Sequence, residues 1–194
     1  PANWRTIIPE ADDRTIEGVE FTKGHIIISG LKHAVAHLYV YDLHGQFQRE
    51  IPLPTLGSVT GQTADLQSDD FFFVFESFLI PPAIYRCTIA EDARVANEGA
   101  RAADAAPAAT KGSIPAAKNA SADPQVVLAS TQAVDPDLVS VEQVFYPSKD
   151  GTRIPMFILK RRDLPVSADR DRPCPTPTVL FGYGGFNLGK TPTY

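Results

Sequence analysis

Asp70-Phe71-Phe72-Phe73-Val74-Phe75-Glu76-Ser77 and, after a Pro81-Pro82 break, Ala83-Ile84-Tyr85-Arg86-Cys87-Thr88 decide the fold class. Short strands rich in aromatic and β-branched residues, closed by Pro, Gly or Asp at small intervals, read as antiparallel β structure. The pattern extends towards the N-terminus. Gly18–Thr22 leads through Lys23-Gly24 into His25–Ser29. His37–Asp42 is closed by a polar turn ending in Gly45, and Phe47–Leu53 follows. His37–Asp42 and Ala83–Thr88 also form a faint repeat, about 46 residues apart, close to the period of one propeller blade. Two incomplete blades cannot close a ring, so this segment is expected to be poorly stable alone.

From Ala90 to about Pro124 the composition shifts to Ala, Asp, Lys and Pro. Glu91–Ala106 has helix propensity but little apolar stripe to dock it. Pro107 and Pro115 interrupt any continuation. The segment is expected to be a solvated, largely disordered insert, and its Asn119-Ala120-Ser121 sequon carries no weight without evidence of secretion. Strand character returns at Val139–Tyr146. The turn Pro147-Ser148-Lys149-Asp150-Gly151-Thr152 carries Asp-Gly chemistry and leads into Ile154–Leu159. A third strand, Thr178–Phe181, is expected to end in the glycine-rich turn Gly182-Tyr183-Gly184-Gly185-Phe186-Asn187. The boundaries read from composition are 1–89, 90–131 and 132–194.

Composition narrows the function classes. A net charge of −5 argues against a general nucleic-acid binder, which needs a basic surface. No apolar run approaches the roughly 20 residues of a membrane span. Cys87 and Cys174 stand far apart, in no metal-like spacing, and read as reduced thiols in a cytosolic protein. No metal and no cofactor is implied. The chain begins at Pro1, its one methionine is the internal Met156, and it stops shortly after the glycine turn. It therefore reads as an internal fragment.

Two readings compete for the glycine turn. Gly184-Gly185-Phe186-Asn187-Leu188-Gly189-Lys190-Thr191 satisfies the phosphate-loop pattern G-x-x-x-x-G-K-[ST], which needs a helix opening at Lys190-Thr191 to hold phosphates. Pro192 follows at once and weakens the match. The other reading uses the phenol of Tyr183, a single hydrogen-bond donor on a backbone that glycine lets approach a reacting atom. Lipase-type hydrolases place part of an oxyanion hole on such a loop. On the residues alone, a strand-end core tyrosine remains a third possibility.

Two blocks in order, Val144-Phe145-Tyr146-Pro147-Ser148-Lys149-Asp150-Gly151-Thr152-Arg153-Ile154-Pro155-Met156-Phe157-Ile158 and Phe181–Asn187 with Thr191-Pro192 and Tyr194, resemble the prolyl oligopeptidase family. The resemblance is strong from Val139 to Tyr194 and looser from Asn3 to Thr88. It leaves out the Ala-rich insert, which is a lineage-specific loop or a gene-model error. It implies a mainly β fragment: the last blades of a seven-bladed β-propeller, then the first strands of an α/β-hydrolase domain. It further implies a serine-type endopeptidase acting on short proline-containing peptides, monomeric when full length and cytoplasmic. Tyr183 corresponds to the family's oxyanion tyrosine, and Phe186 to an aromatic wall of the pocket for the substrate proline.

The catalytic triad is missing. No G-x-S-x-G occurs in the 194 residues. His25, His33, His37 and His44 all precede the hydrolase part, whereas the order in these enzymes is Ser, Asp, His. His33 and His37 stand four apart, but in loop and strand surroundings, where surface or packing roles are expected. The fragment is expected to be inactive by itself. A nucleotide-binding module using residues 184–191 and a non-catalytic propeller serving protein interaction are the alternatives.

Overall fold

The computed structural model describes residues 3–89, 123–164, 175–187 and 189–194. The expected disordered insert and its sequon lie outside the described residues, as does Cys174. Ten strands are described: β1 (Thr15–Phe21), β2 (His25–Lys32), β3 (Val35–Asp42), β4 (Phe47–Ile51), β5 (Ser58–Ala64), β6 (Asp70–Glu76), β7 (Ala83–Thr88), β8 (Gln125–Ala129), β9 (Val139–Pro147) and β10 (Arg153–Arg161). No α-helix occurs among the described residues. β1-β2-β3-β4 and β5-β6-β7-β8 are two four-stranded antiparallel meanders, and β9-β10 is a separate two-stranded hairpin. The chain divides into two compact units: residues 1–132 with Thr191–Tyr194, and Ala133–Lys190.

The first unit is organised by the phenylalanines of β6. Side chains alternate across a strand with a period of two. Phe71, Phe73 and Phe75 therefore share one face and are fully buried, while Phe72 and Val74 are half-buried on the other. The buried face meets Ile27, Leu38, Val40 and Ile51 of the first sheet, and Ala83, Tyr85, Cys87 and Ile89 complete the cluster. Both sheets thus contribute to one core. Ring geometry adds specificity: Phe71 and Phe73 stack at 5.5 Å between centroids, Phe73 and Tyr85 stack at 5.5 Å, and Phe75 meets Tyr85 edge-on at 6.0 Å. Burying each phenylalanine stabilises the fold by about 1.5–3 kcal/mol. The opposite face of the first sheet, with Ile26, Ile28, Tyr39 and Tyr41, is covered by Ile7 and Ile8.

The expected repeat corresponds to β3 and β7, the third strand of each sheet. Two strands escaped the sequence reading. β5 is Ser-Val-Thr-Gly-Gln-Thr-Ala, a stretch read as Gly/Thr-rich; its register shifts between Thr60 and Thr63, around Gly61 at φ 56°. β8 falls where the linker was expected to run on to residue 131. Gln125–Ala129 instead pairs with β7 and completes the second sheet. One expected strand is not formed: Thr178–Phe181 has no regular secondary structure, and its apolar side chains are exposed, Val179 at 91%. A strand needs a partner for its N–H and C=O groups, and none pairs with this run among the described residues.

Close approaches explain particular glycines. A Cβ on Gly57 would lie 2.3 Å from the ring of Phe75. Gly18 sits at an irregularity in the β1–β2 pairing, where a Cβ would meet Ser29 Oγ at 2.9 Å; there the Gln62 side-chain amide donates to Ser29 Oγ at 2.8 Å and links the two sheets. Thr191–Tyr194 returns to this unit. Pro192 is fully buried, its carbonyl accepts from Ser58 Oγ at 2.7 Å, and the Tyr194 N–H donates to Glu76 Oε2 at 3.0 Å. Ser58 and Glu76 are themselves cross-strand partners, so one end of the β5–β6 pair holds both contacts.

Two predictions follow from this unit. The β2–β3 hairpin turns through His33 (φ 53°) and Ala34 (φ 62°), the two-residue geometry that asparagine and glycine normally occupy. Left-handed backbone costs a non-glycine residue roughly 1–2 kcal/mol. Ala34→Gly should therefore raise stability by about 1 kcal/mol, read as a higher urea midpoint at unchanged slope. At the start of β6, Asp70 accepts from Arg86 Nη2 and Thr88 Oγ1, both at 2.8 Å, and these bonds hold its carboxyl below the ordinary value of 3.8, the Arg86 bond foremost. A lowered pKa in the folded state stabilises the fold fully above the ordinary value and is lost as pH falls through the lowered one. The stability gap between wild type and Asp70→Asn should be constant at neutral pH and close under acid; a gap independent of pH would contradict this assignment.

Candidate functional site

In the second unit β9 and β10 pair from Val139↔Arg161 to Pro147↔Arg153. The connecting turn has the Asp-Gly form read from the sequence. The Ser148 N–H donates to the Thr152 carbonyl at 2.8 Å, and the Gly151 N–H to the Ser148 carbonyl at 3.0 Å. Gly151 takes φ 87°, which glycine tolerates without a Cβ clash. Asp150 Oδ1 accepts the Thr152 N–H at 2.9 Å, and this bond leads the contacts that lower the Asp150 pKa. The guanidinium of Arg153 lies 4.8 Å from the centre of the Phe145 ring across the pair.

The glycine-rich loop has its own geometry. Tyr183 is 48% exposed, so its ring is not sealed beneath other side chains. It folds back over Gly185, where a Cβ would stand 3.2 Å from the phenol oxygen and 3.3 Å from Cζ. Any other residue at 185 would press on the ring that carries the hydroxyl. Gly185–Asn187 forms a short 3₁₀ turn broken at Phe186, which adopts φ 56° and ψ 31°. Phe186 projects outward, 92% exposed. A left-handed phenylalanine costs roughly 1–2 kcal/mol. One loop therefore presents a phenol donor and, three residues on, an aromatic face towards solvent.

Lys190 closes the loop. Its ammonium lies 5.3 Å from the centroid of Phe181 and 5.6 Å from that of Tyr183, both within cation–π range. No helix opens at Lys190-Thr191; residues 189–194 have no regular secondary structure. The described residues 189–194 offer no helix N-terminus of the kind that the phosphate-loop pattern uses to hold a phosphate. Sequence reasoning did not find the lysine's contact with the two rings, because a motif that names the lysine does not say which rings fold against it.

The four histidines belong to the first unit and have structural surroundings. His33 sits in the β2–β3 turn and His37 on β3, so their spacing crosses a hairpin rather than one helix face. His37 Nδ1 stands 2.6 Å from Glu50 Oε1, and its ring lies parallel to Tyr39 at 5.9 Å. His25 opens β2 and His44 follows β3. Cys87 is buried, and that burial raises its thiol pKa despite the nearby guanidinium of Arg49. Among the described residues no group of three or more His, Cys, Asp or Glu is placed to hold a metal ion, and no helix is long and apolar enough to cross a membrane.

Paired antiparallel sheets sharing one core are the architecture of consecutive propeller blades. The family model described as "Prolyl oligopeptidase, N-terminal beta-propeller domain" matches residues 1–98. The chain belongs to the prolyl oligopeptidase family. It is 26% identical over 194 residues to a prolyl endopeptidase of Elizabethkingia miricola, covering all of this chain and 22% of that protein. It is 30% identical over 153 residues to a prolyl oligopeptidase of Omphalotus olearius, covering 79% of this chain and 14% of that one. A solved prolyl endopeptidase structure superposes with a TM-score of 0.72 at 28% identity, over 100% of this chain and 23% of its own. Prolyl oligopeptidase B of Galerina marginata has a related fold, with a TM-score of 0.57 at 20% identity over 82% of this chain and 19% of its own. The chain spans about a fifth of the length of the relatives it matches.

Proposed function

We propose that this chain is part of a serine-type endopeptidase that cleaves short peptides after proline. It supplies the last blades of a seven-bladed propeller (residues 1–89), the Ala/Pro-rich insert, and the opening strands of an α/β-hydrolase domain from residue 132. One observation carries the reading: a partly exposed phenol on the glycine-rich loop Gly182–Gly185, with the outward ring of Phe186 three residues on. Membership of the family supports it.

In the proposed reaction a serine attacks the carbonyl carbon of the residue preceding the scissile bond, and the carbonyl oxygen gains negative charge. The Tyr183 O–H donates to that oxygen as the charge develops and stabilises the tetrahedral state more than the ground state. The Phe186 ring forms a face on which the substrate's pyrrolidine ring packs. The ring is 92% exposed, so that face is uncovered. The serine, aspartate and histidine come from the part of the enzyme beyond these residues, so the 194-residue chain alone is inactive. The whole protein acts as a cytoplasmic monomer on short proline-containing peptides.

In the full-length enzyme Tyr183→Phe should lower kcat by roughly 10²–10³ with a much smaller change in KM. An unchanged kcat removes Tyr183 from the reaction. The purified 194-residue chain should leave a Gly-Pro reporter peptide uncleaved; cleavage above a mock purification would contradict the missing-triad reading.

A further inference from the structure

Lys190 belongs to a pattern that the proposed function leaves without a role. Its ammonium is nevertheless placed against two aromatic rings, Phe181 at 5.3 Å and Tyr183 at 5.6 Å from the centroids. These residues bracket the glycine loop: Phe181 precedes it, Tyr183 lies within it and Lys190 follows it. The chain between them carries Gly182, Gly184, Gly185 and Gly189, and at Gly182, Gly184 and Gly189 nothing lies within 4 Å of where a Cβ would be. Glycine has more accessible backbone conformations than other residues, and at these three positions little packing selects one. A cation shared by both rings supplies the missing restraint, because each ring face attracts the ammonium through its quadrupole.

We propose that Lys190 is a positioning residue for Tyr183, clamping the phenol-bearing loop through a shared cation–π contact with Phe181 and Tyr183. The inference rests on the reading of Tyr183 as the oxyanion donor. Its effect has two physical parts. The clamp reduces the conformations from which the phenol must be recruited as the transition state forms. The positive charge beside the Tyr183 ring also favours negative charge accumulating near its hydroxyl. Both parts act on the transition state rather than on substrate binding, so the predicted signature is in kcat.

The test uses the full-length enzyme with the variants Lys190→Met, Lys190→Arg, Tyr183→Phe and the Lys190→Met/Tyr183→Phe pair. Lys190→Met keeps the length and loses the charge; it should lower kcat roughly three- to tenfold with KM unchanged. Lys190→Arg keeps a cation that stacks on rings and should restore kcat to within about twofold of wild type. In the Tyr183→Phe background the methionine substitution should add little, because the lysine acts through the phenol. If Tyr183→Phe is damaging while Lys190→Met has full kcat, the clamp is wrong and the oxyanion reading stands. If the losses from Lys190→Met and Tyr183→Phe simply multiply, the lysine acts elsewhere and the proposal is overturned. If Tyr183→Phe itself has no effect, the underlying reading fails, and the clamp with it.

Discussion

The packing of Phe71, Phe73 and Phe75 against Ile27, Leu38, Val40 and Ile51 is the constraint on which the first unit depends. The facing surfaces of the two sheets bury one shared core, each serving as the other's hydrophobic cover. The three rings project from one face of one strand, so slipping β6 by a single residue would turn all of them away from their partners. That sensitivity fixes the register of β5 and β7 as well. It also explains why Gly57 has no room for a side chain, since the space beside it is taken by Phe75. The return of Thr191–Tyr194 to the β5–β6 pair depends on the same register, because Ser58 and Glu76 offer their side chains to the returning chain as cross-strand neighbours.

The strands that could be read from the sequence are those whose residues carry their own evidence. β6 and β7 are dense in aromatic and β-branched residues and bounded by breakers, and the turn at Asp150-Gly151 states its conformation in its chemistry. β5 could not be read this way. Its residues are small and polar, and it is a strand because β6 beside it offers a row of unpaired backbone groups. β8 is a related case: a short apolar run set in linker-like composition, given its structure by the edge of β7. Thr178–Phe181 is the opposite case, apolar enough to suggest a strand but with nothing to pair against among the described residues. In each instance pairing, which lies outside the local sequence, decided the outcome.

The glycine loop divides in the same way. Tyr183 stands out in the sequence as the one phenol of a glycine-rich turn, while its role and that of Phe186 are read from the resemblance to the prolyl oligopeptidase family. Their presentation could not be foreseen, because it depends on Phe186 entering the left-handed region and on the phenol folding over Gly185. Lys190 was visible only as part of a pattern belonging to another chemistry. The lysine that completes the phosphate-loop signature in the sequence folds, in three dimensions, against Phe181 and against Tyr183, the phenol on which the peptidase reading rests.

The first three strands of the second sheet are joined by short connections, whereas β8 enters only after residues 89–124. Pairing segments that are far apart in the sequence costs chain entropy that rises with the logarithm of their separation, a modest penalty even at this distance. It does change the order of events. β5, β6 and β7 can zip together from neighbouring chain, while β8 must be captured from a distance by an edge that already exists. β8 is therefore expected to be the last strand to anneal and the first to peel away. Local opening of this sheet is then expected to begin at its outer margin and to spare the aromatic cluster on β6 and β7.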